Sequence, residues 1–538
     1  MKRKSIVCTV AAAAAAVLVL AGCGSQAGPS DTSAAGSATE SSAGTASDTG
    51  SSEDGGNGTI TRDEIVLGGK ADIKSTDPAG QTDVYSAMLI RHMYNGLLKI
   101  DEDGSTVVGD LAESFDMPDD LTYHFVLKQG VLFHDGTELK ASDVKFSLER
   151  AREMASTKPT ASYFDQITVN GDYEVTLTLN QPCAAMLYLL TNSNMMIVSE
   201  KAVTEAGDQY VEHPVGTGPF KFVEWVPNDH WTIERNDEYF GEKPLTSRLT
   251  CRVIVEETSR VIALETGEID MALDIAETEA VNVEANPDLV LEAGPSPSIE
   301  FLGLNFQNEY LSNKKVRQAI AYALDKEVFV DTIVEGRGEI ANSCIGKTIP
   351  GWDESIEPYP YDPEKARELL AEAGYADGFD LEVNVSSEIR NRTAQLIQAQ
   401  LLDVGINLEI NMYDFGAFQD MLADGDDELF VLGWSNSNVD PMRSTTPLFH
   451  SDYCGRNGNN YSFIQNDQLD ALLDEAGSEL DQDKRMELYR EIQELLREEV
   501  PIIPLYYKQN INARQADLKG FVFDKNTNHY YGNLHYES

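Results

Sequence analysis

The chain has 538 residues, with 90 Asp and Glu against 41 Lys and Arg, a formal net charge of −49. An acidic surface of this size repels phosphate backbones and excludes nucleic-acid binding, and it is read as a source of solubility and self-avoidance rather than as a preference for cationic ligands. With 42 % hydrophobic residues a large core is within reach, and the length prior divides the body of the chain into about three domains.

In chain order, Lys2, Arg3 and Lys4 precede an apolar run from Ile6 to Leu20, which closes on Leu20-Ala21-Gly22-Cys23. A charged start, an apolar middle and small residues before the cleavage point are the parts of a secretory signal. The run is shorter than the about 20 apolar residues of a membrane span, so residues 1–22 are expected to be removed. Leu-Ala-Gly-Cys resembles the bacterial lipoprotein box. That resemblance implies a diacylglyceryl group and further acylation, such as palmitate, on Cys23; two chains suffice to hold a protein on the outer face of the cell membrane. Residues 23–59 are almost wholly Ser, Gly, Ala, Thr and Asp. With nothing large to bury, they are expected to stay unfolded as a tether spanning on the order of 30 Å.

Strands are predicted at 121–128, where Leu121, Tyr123, Phe125 and Leu127 alternate with polar residues, and at 173–180, where Tyr173, Val175, Leu177 and Leu179 do the same. Asp362 and Pro363 open a helix whose apolar face is Ala366, Leu369, Leu370 and Ala373, ended by Gly374. A strand on Phe379, Leu381, Val383 and Val385, a helical stripe on Ala394, Ile397 and Leu401 ended by Gly405, and a strand on Leu408, Ile410 and Met412 make a βαβ unit. Its strands must run parallel. A last long helix through Leu488, Ile492, Leu495 and Leu496 stops before Pro501.

Besides Cys8 and Cys23 the chain holds Cys183, Cys251, Cys344 and Cys454. No pair has metal-ligand spacing. An oxidising compartment permits a disulfide, and Cys344 with Cys454 is the pair to test first; four buried free thiols are the equal alternative. The eight histidines, His92, His124, His134 and His213 among them, show no paired spacing, and neither a metal nor any other cofactor is expected. Gly216-Thr217-Gly218-Pro219 lacks the Lys-Ser/Thr of a phosphate loop and reads as a turn.

Tyr94-Asn95-Gly96-Leu97-Leu98, Gly109-Asp110-Leu111-Ala112-Glu113-Ser114, Phe133-His134-Asp135-Gly136-Thr137 with Ala141-Ser142-Asp143-Val144, and Gly216-Thr217-Gly218-Pro219-Phe220 follow one another along the chain. Gly267-Glu268-Ile269-Asp270, Val316-Arg317-Gln318-Ala319-Ile320 with Leu324-Asp325-Lys326, and Gly433-Trp434 with Asp440-Pro441 continue the series. In this order the blocks resemble the extracellular solute-binding proteins of family 5, the peptide and oligopeptide receptors of ABC importers. The resemblance implies an α/β, two-lobed periplasmic-binding-protein-like fold of class II with an extra subdomain inserted in lobe I. Lobe I is placed at 60–107, 216–300 and 505–538, the insert at 108–215 and lobe II at 301–504. Crossings between lobes are expected near Leu304-Asn305-Phe306 and Pro504-Leu505-Tyr506.

The same resemblance supplies candidate ligand contacts. Gly433, Trp434 and Ser435 would form a strand edge pairing with the backbone of an extended peptide; the alternative is a buried strand with a core tryptophan. Three positions past the tryptophan, where peptide-binding relatives carry an Asp for the ligand's α-amine, this chain has Ser437, and Asp440 is the nearest substitute. Arg390 and Arg392 fall where dipeptide-binding relatives hold the ligand carboxylate. Phe415 would be a pocket aromatic, Thr82 and Tyr85 a ligand-facing stretch of lobe I, and Tyr506 a group at the second crossing.

The implied function is capture of a short peptide, without catalysis, by a monomer that delivers it to ABC permease subunits and their ATPases. Alternatives are a receptor for a non-peptide solute such as an oligosaccharide, a surface receptor that signals or adheres, and an extracytoplasmic lipoprotein hydrolase. The last lacks a G-x-S-x-G elbow or metal signature.

Overall fold

A computed structural model describes residues 59–436 and 438–538. The signal, the tether with Cys23, and Ser437 lie outside the described residues. After a short strand at Ile60–Arg62 that pairs with His535–Glu537 come strand β1 (Glu64–Gly69) and helix α1 (Val84–Met93). Asp83 caps α1 by accepting the Ser86 amide and hydroxyl, which fixes where the chain turns into the helix.

Next come β2 (Ala112–Asp119), β3 (Thr122–Leu127), β4 (Phe164–Gly171) and β5 (Glu174–Leu179), an antiparallel sheet ordered β2-β3-β5-β4. Two of these strands are legible in the sequence. Tyr123, Phe125 and Leu127 of β3 and Val175, Leu177 and Leu179 of β5 are buried while their neighbours are not, because a pleated strand sends alternate side chains to opposite faces.

The long strand β6 (Leu289–Leu304) is followed by α2 (Pro363–Glu372), β7 (Phe379–Val385), α3 (Glu388–Leu402) and β8 (Ile406–Met412). After β9 (Leu429–Ser435), α4 (Met442–Phe449), α5 (Asp467–Ser478) and α6 (Gln482–Glu499), strand β10 (Ile502–Gln515) runs back beside β6. Asp362 caps α2 through the Lys365 amide, with Pro363 at its first turn. β7 and β8 pair in parallel from Phe379↔Ile406 to Val385↔Met412, as the α3 crossover requires. Val500, at φ 55°, turns the chain out of α6 before Pro501.

One eleven-stranded mixed sheet joins both halves of the molecule. Ten of its strands run in the order β8-β7-β9-β6-β10, then Met271–Ala272, β1, Arg248–Val253, His230–Arg235 and Phe220–Val226, and the eleventh, Gly338–Ile340, pairs with β10 off this path. Only β6 and β10 span the middle, pairing antiparallel from Leu289↔Gln515 to Gly303↔Ile502 with a register break between Pro295 and Ile299. β6 pairs with β9 from Ser298 onward. The ladder is irregular between Pro295 and Ile299, opposite Tyr507–Gln509, and again between Glu300 and Phe301, opposite Pro504–Tyr506. Pro295 and Pro297 bring no amide N–H to the ladder at the first of these breaks.

Of the two alternatives for the cysteines, the Cys344–Cys454 bridge is not formed: Cys183, Cys251, Cys344 and Cys454 are free thiols. Cys344 is packed among Ile299, Ile345 and Ile349, and burial pushes its thiol up to about 12. Cys454 faces instead the Ile464 carbonyl and the Asn460 amide.

Candidate functional site

A cavity of about 1270 Å³ opens between the two halves of the sheet. Segments of β6 and β10 form its floor, with Ser296, Ser298 and Lys508–Asn512 on its surface. One wall is α1, which contributes Val84, Ala87, Met88 and Arg91, positions that share one helical face at 3.6 residues per turn. The insert adds Ser156, Tyr163 and Asn192–Asn194, and the facing wall comes from α3, α4 and the turn ahead of α4. The Ala184 amide, next to the cavity-lining Ala185, donates to the Gly477 carbonyl at 2.9 Å. That carbonyl lies in the last turn of α5, where no helical partner is available to it.

Tyr85 anchors the α1 side. Its hydroxyl donates to Asp274 at 2.8 Å and accepts the Lys70 amide at 2.9 Å; burial and the Asp274 charge push its pKa well up. Lys70 in turn stands 3.4 Å from Asp274.

Beneath the floor, Glu300 of β6 is fully enclosed. Arg390 Nε donates to its Oε1 at 2.5 Å, and Lys508 Nζ lies 3.1 Å from Oε2. Burial by itself raises the Glu300 carboxyl, and the two cations outweigh it and hold the group below the ordinary carboxylate range. Gly433 leaves room for this triad, since a Cβ there would stand 2.4 Å from Glu300 Oε2 and 3.0 Å from Arg390 Nη2.

Residues 106–455 match the family model for bacterial extracellular solute-binding proteins, family 5. The chain is 31 % identical over 472 residues to the glutathione-binding protein GsiB of Salmonella typhi, covering 85 % of this chain and 91 % of that one. The chain belongs to family 5 of the bacterial extracellular solute-binding proteins. The periplasmic binding protein DppA of Helicobacter pylori, solved with the peptide STSA, superposes with a TM-score of 0.77 at 29 % identity, covering 88 % of this chain and 98 % of that one. The oligopeptide-binding protein AppA of Bacillus subtilis, solved with a nonapeptide, gives 0.74 at 26 %, covering 90 % and 100 %. The fold is thus the family's two-lobed α/β architecture, and members of the family bind solutes outside the cytoplasm.

In this family 5 chain the cavity surface takes in Thr82, Tyr85, Arg392 and Ser435 of the candidate contacts. The others stand elsewhere. Arg390 is held by Glu300 beneath the floor, as described. Gly433 adjoins that triad, and Trp434 packs against the lobe core while its indole N–H donates to the Arg443 carbonyl at 3.0 Å. Tyr506 is buried among Leu302, Leu505 and Val383 in the middle of the sheet. Phe415 is the first residue of a surface helix, 53 % exposed and away from the cavity lining. Asp440 cannot stand in for an ammonium partner, because Arg485 holds both its oxygens at 2.7 and 2.9 Å.

Sequence reasoning missed Arg91 and Arg443. The first was detectable as the end of the Val84, Met88, Arg91 stripe. Arg443 carried no periodic signal; its guanidinium lies 5.0 Å from the centre of the Trp434 ring. Among the described residues, no three His, Cys, Asp or Glu side chains form a metal-holding group.

Proposed function

We propose that this chain is the receptor of an ABC importer, anchored through Cys23, which captures a short peptide between its lobes and hands it to the permease and its ATPases as a monomer. The observation that carries the reading is the cavity of about 1270 Å³, walled by both lobes and the insert over a two-strand floor. Such a volume suits a ligand of several residues. The relatives whose names or structures carry glutathione, the peptide STSA and a nonapeptide support the same ligand class. Lobes at 60–107, 216–300 and 505–538 and at 301–504, with an insert at 108–215, complete the proposal.

The mechanism is mechanical. A ligand that touches both walls favours the conformation in which the Ala184–Gly477 contact is made, and a permease senses that shape. Titrating short peptides while recording small-angle scattering should shrink the radius of gyration as binding saturates, with no peptide cleaved. An unchanged curve alongside heat of binding would refute the closure mechanism.

Arg392 is exposed in the cavity and, among the described residues, has no hydrogen-bond or ion-pair partner. Arg392→Ala is expected to weaken ligands with a free C-terminal carboxylate by about tenfold or more, the weight of a hydrogen bond to a charged group, and to leave amidated ligands unaffected. Calorimetry on matched acid and amide peptides measures this. Equal losses would remove Arg392 from the carboxylate site.

A further inference from the structure

The chain has a surplus of carboxylates, and several arginines outside the cleft are ion-paired, although Arg152, Arg260 and Arg497 reach only backbone carbonyls. Arg62 holds Asp270, Arg150 holds Asp77, Arg317 holds Glu499 and Arg514 holds Glu292. In the cleft three guanidinium groups stand together without partners. Arg91, Arg392 and Arg443 all line the cavity, and among the described residues none of the three guanidinium groups has a hydrogen-bond or ion-pair partner.

Arg91 is the more constrained of the two that sequence reasoning missed. Its Nε is sealed from solvent with no acceptor, and burial lowers its pKa to about 10 against only the distant attraction of Asp524. Arg443 is the second residue of α4, an end of a helix that repels a cation. Its side chain is open to the water of the cleft, and crowding by the surrounding walls still lowers its pKa, with no acid opposing the shift. Its only neighbour of note is the Trp434 ring, which accepts a cation but cannot neutralise it. Arg91 belongs to the lobe I wall and Arg443 to the lobe II wall.

Carboxylates also line the cavity, and they are differently placed. Glu257, Glu277 and Glu388 each occupy the first position of a helix, where the helix N-terminus offsets a negative charge. Asp274 is engaged by Tyr85 and Lys70, and Asp440 by Arg485. Asp83, also on the cavity surface, caps α1, and the three glutamates have no ion-pair partner among the described residues, so the cleft is not cationic overall; what sets its arginines apart is that Arg91 is sealed from solvent without an acceptor.

We infer that the ligand is a small acid with at least two anionic groups, one met by Arg443 and another by Arg91 or Arg392, so that closure of the lobes brings anions to cations on both walls. Carboxylates suit these sites, since a guanidinium pairs with them by two parallel hydrogen bonds. The inference rests on the receptor reading above and narrows it to acidic peptides or peptide-like diacids.

Three probes of similar size test it on the full chain by calorimetry. Succinyl-Ala-Ala carries two carboxylates, succinamoyl-Ala-Ala carries one, and Ala-Ala-Ala carries one with an ammonium. Succinyl-Ala-Ala should bind at least tenfold tighter than either of the others. Arg443→Gln, at an exposed position, and Arg91→Gln should each remove most of that advantage, and Arg91→Lys should restore part of it. If the diacid and the succinamoyl probe bind equally, or if Arg443→Gln leaves their ratio unchanged, the acidic-ligand inference is wrong and the receptor reading survives. If none of the three binds or closes the lobes at millimolar concentration, the short-peptide reading fails and takes the inference with it.

Discussion

Replacing Arg485 by Met is expected to lower the stability of lobe II by about 3–5 kcal/mol, the cost of leaving one member of a buried ion pair without its partner. Arg485 is 1 % and Asp440 2 % exposed. The guanidinium gives two hydrogen bonds to Asp440, a third to the Ala476 carbonyl at 2.9 Å and a fourth to the Tyr489 hydroxyl at 3.3 Å. It thereby ties α6 to the end of α5 and to the turn that starts α4. Methionine fills much of the space and donates none of these bonds. The carboxylate of Asp440 would then face low dielectric with only the Met442 amide for company. Urea denaturation measures the loss, and the double variant Asp440→Leu with Arg485→Met should recover most of it, because two matched apolar groups leave no charge behind. A loss below about 1 kcal/mol, the range of an exposed pair, would show that the pair is solvated.

That pair also bears on ligand choice. Asp440 lies at the cavity wall beside Met442 and Arg443, and by sequence alone it was the obvious replacement for the acid missing at Ser437. Its charge is already spent. The wall lined by Ser435 and Asp440, the stretch where the sequence resemblance implied an acid for the ligand's amine, presents the Arg443 cation, and for this reason the acidic-ligand inference and the Arg485 prediction meet at one turn.

What could be read from the sequence follows the periodicity of each element. The strand Thr122–Leu127 and the helix Pro363–Glu372 have regular apolar spacing and explicit caps, and both form where expected. The family blocks likewise pointed to the two-lobed fold. Side-chain direction within the site was harder to read. Arg390 and Arg392 are two residues apart on α3, hence about 200° apart around the helix. A single helix cannot aim both into the cleft; one reaches Glu300 and the other lines the cavity. The nineteen-residue spacing of Phe415 and Trp434 carries no such directional information. Leu304 and Tyr506, near the expected crossings, are strand residues, and the ladder irregularity at Pro295 and Pro297 could be read only once β10 is known to be the partner. Arg91 and Arg443 are single charges, and only their lack of a hydrogen-bonded or ion-paired partner among the described residues makes them informative.

Lys326→Met is expected to act in the opposite direction, raising stability by up to about 4 kcal/mol at pH 6. Lys326 begins a helix of lobe II and is 6 % exposed. It faces a small cavity shared with Cys344, Tyr359, Gln493 and Arg497. Among the described residues it forms no ion pair. Burial, with the Arg497 charge adding to it, lowers its pKa to about 7, against about 10.4 for a lysine in the unfolded chain. Between these two values the unfolded chain binds the proton that the folded one has released, so stability climbs as pH rises from about 7 toward 10. Below pH 7 the folded protein carries the full cost of a buried ammonium. Methionine has no charge to bury, so its advantage should be greatest at pH 6, smaller at pH 9 and nearly absent above pH 10. Thermal midpoints of both proteins across that range test the sign. An advantage independent of pH would mean that packing, not charge, sets the difference, and a destabilised variant would mean that the Lys326 ammonium has an acceptor strong enough to repay its burial.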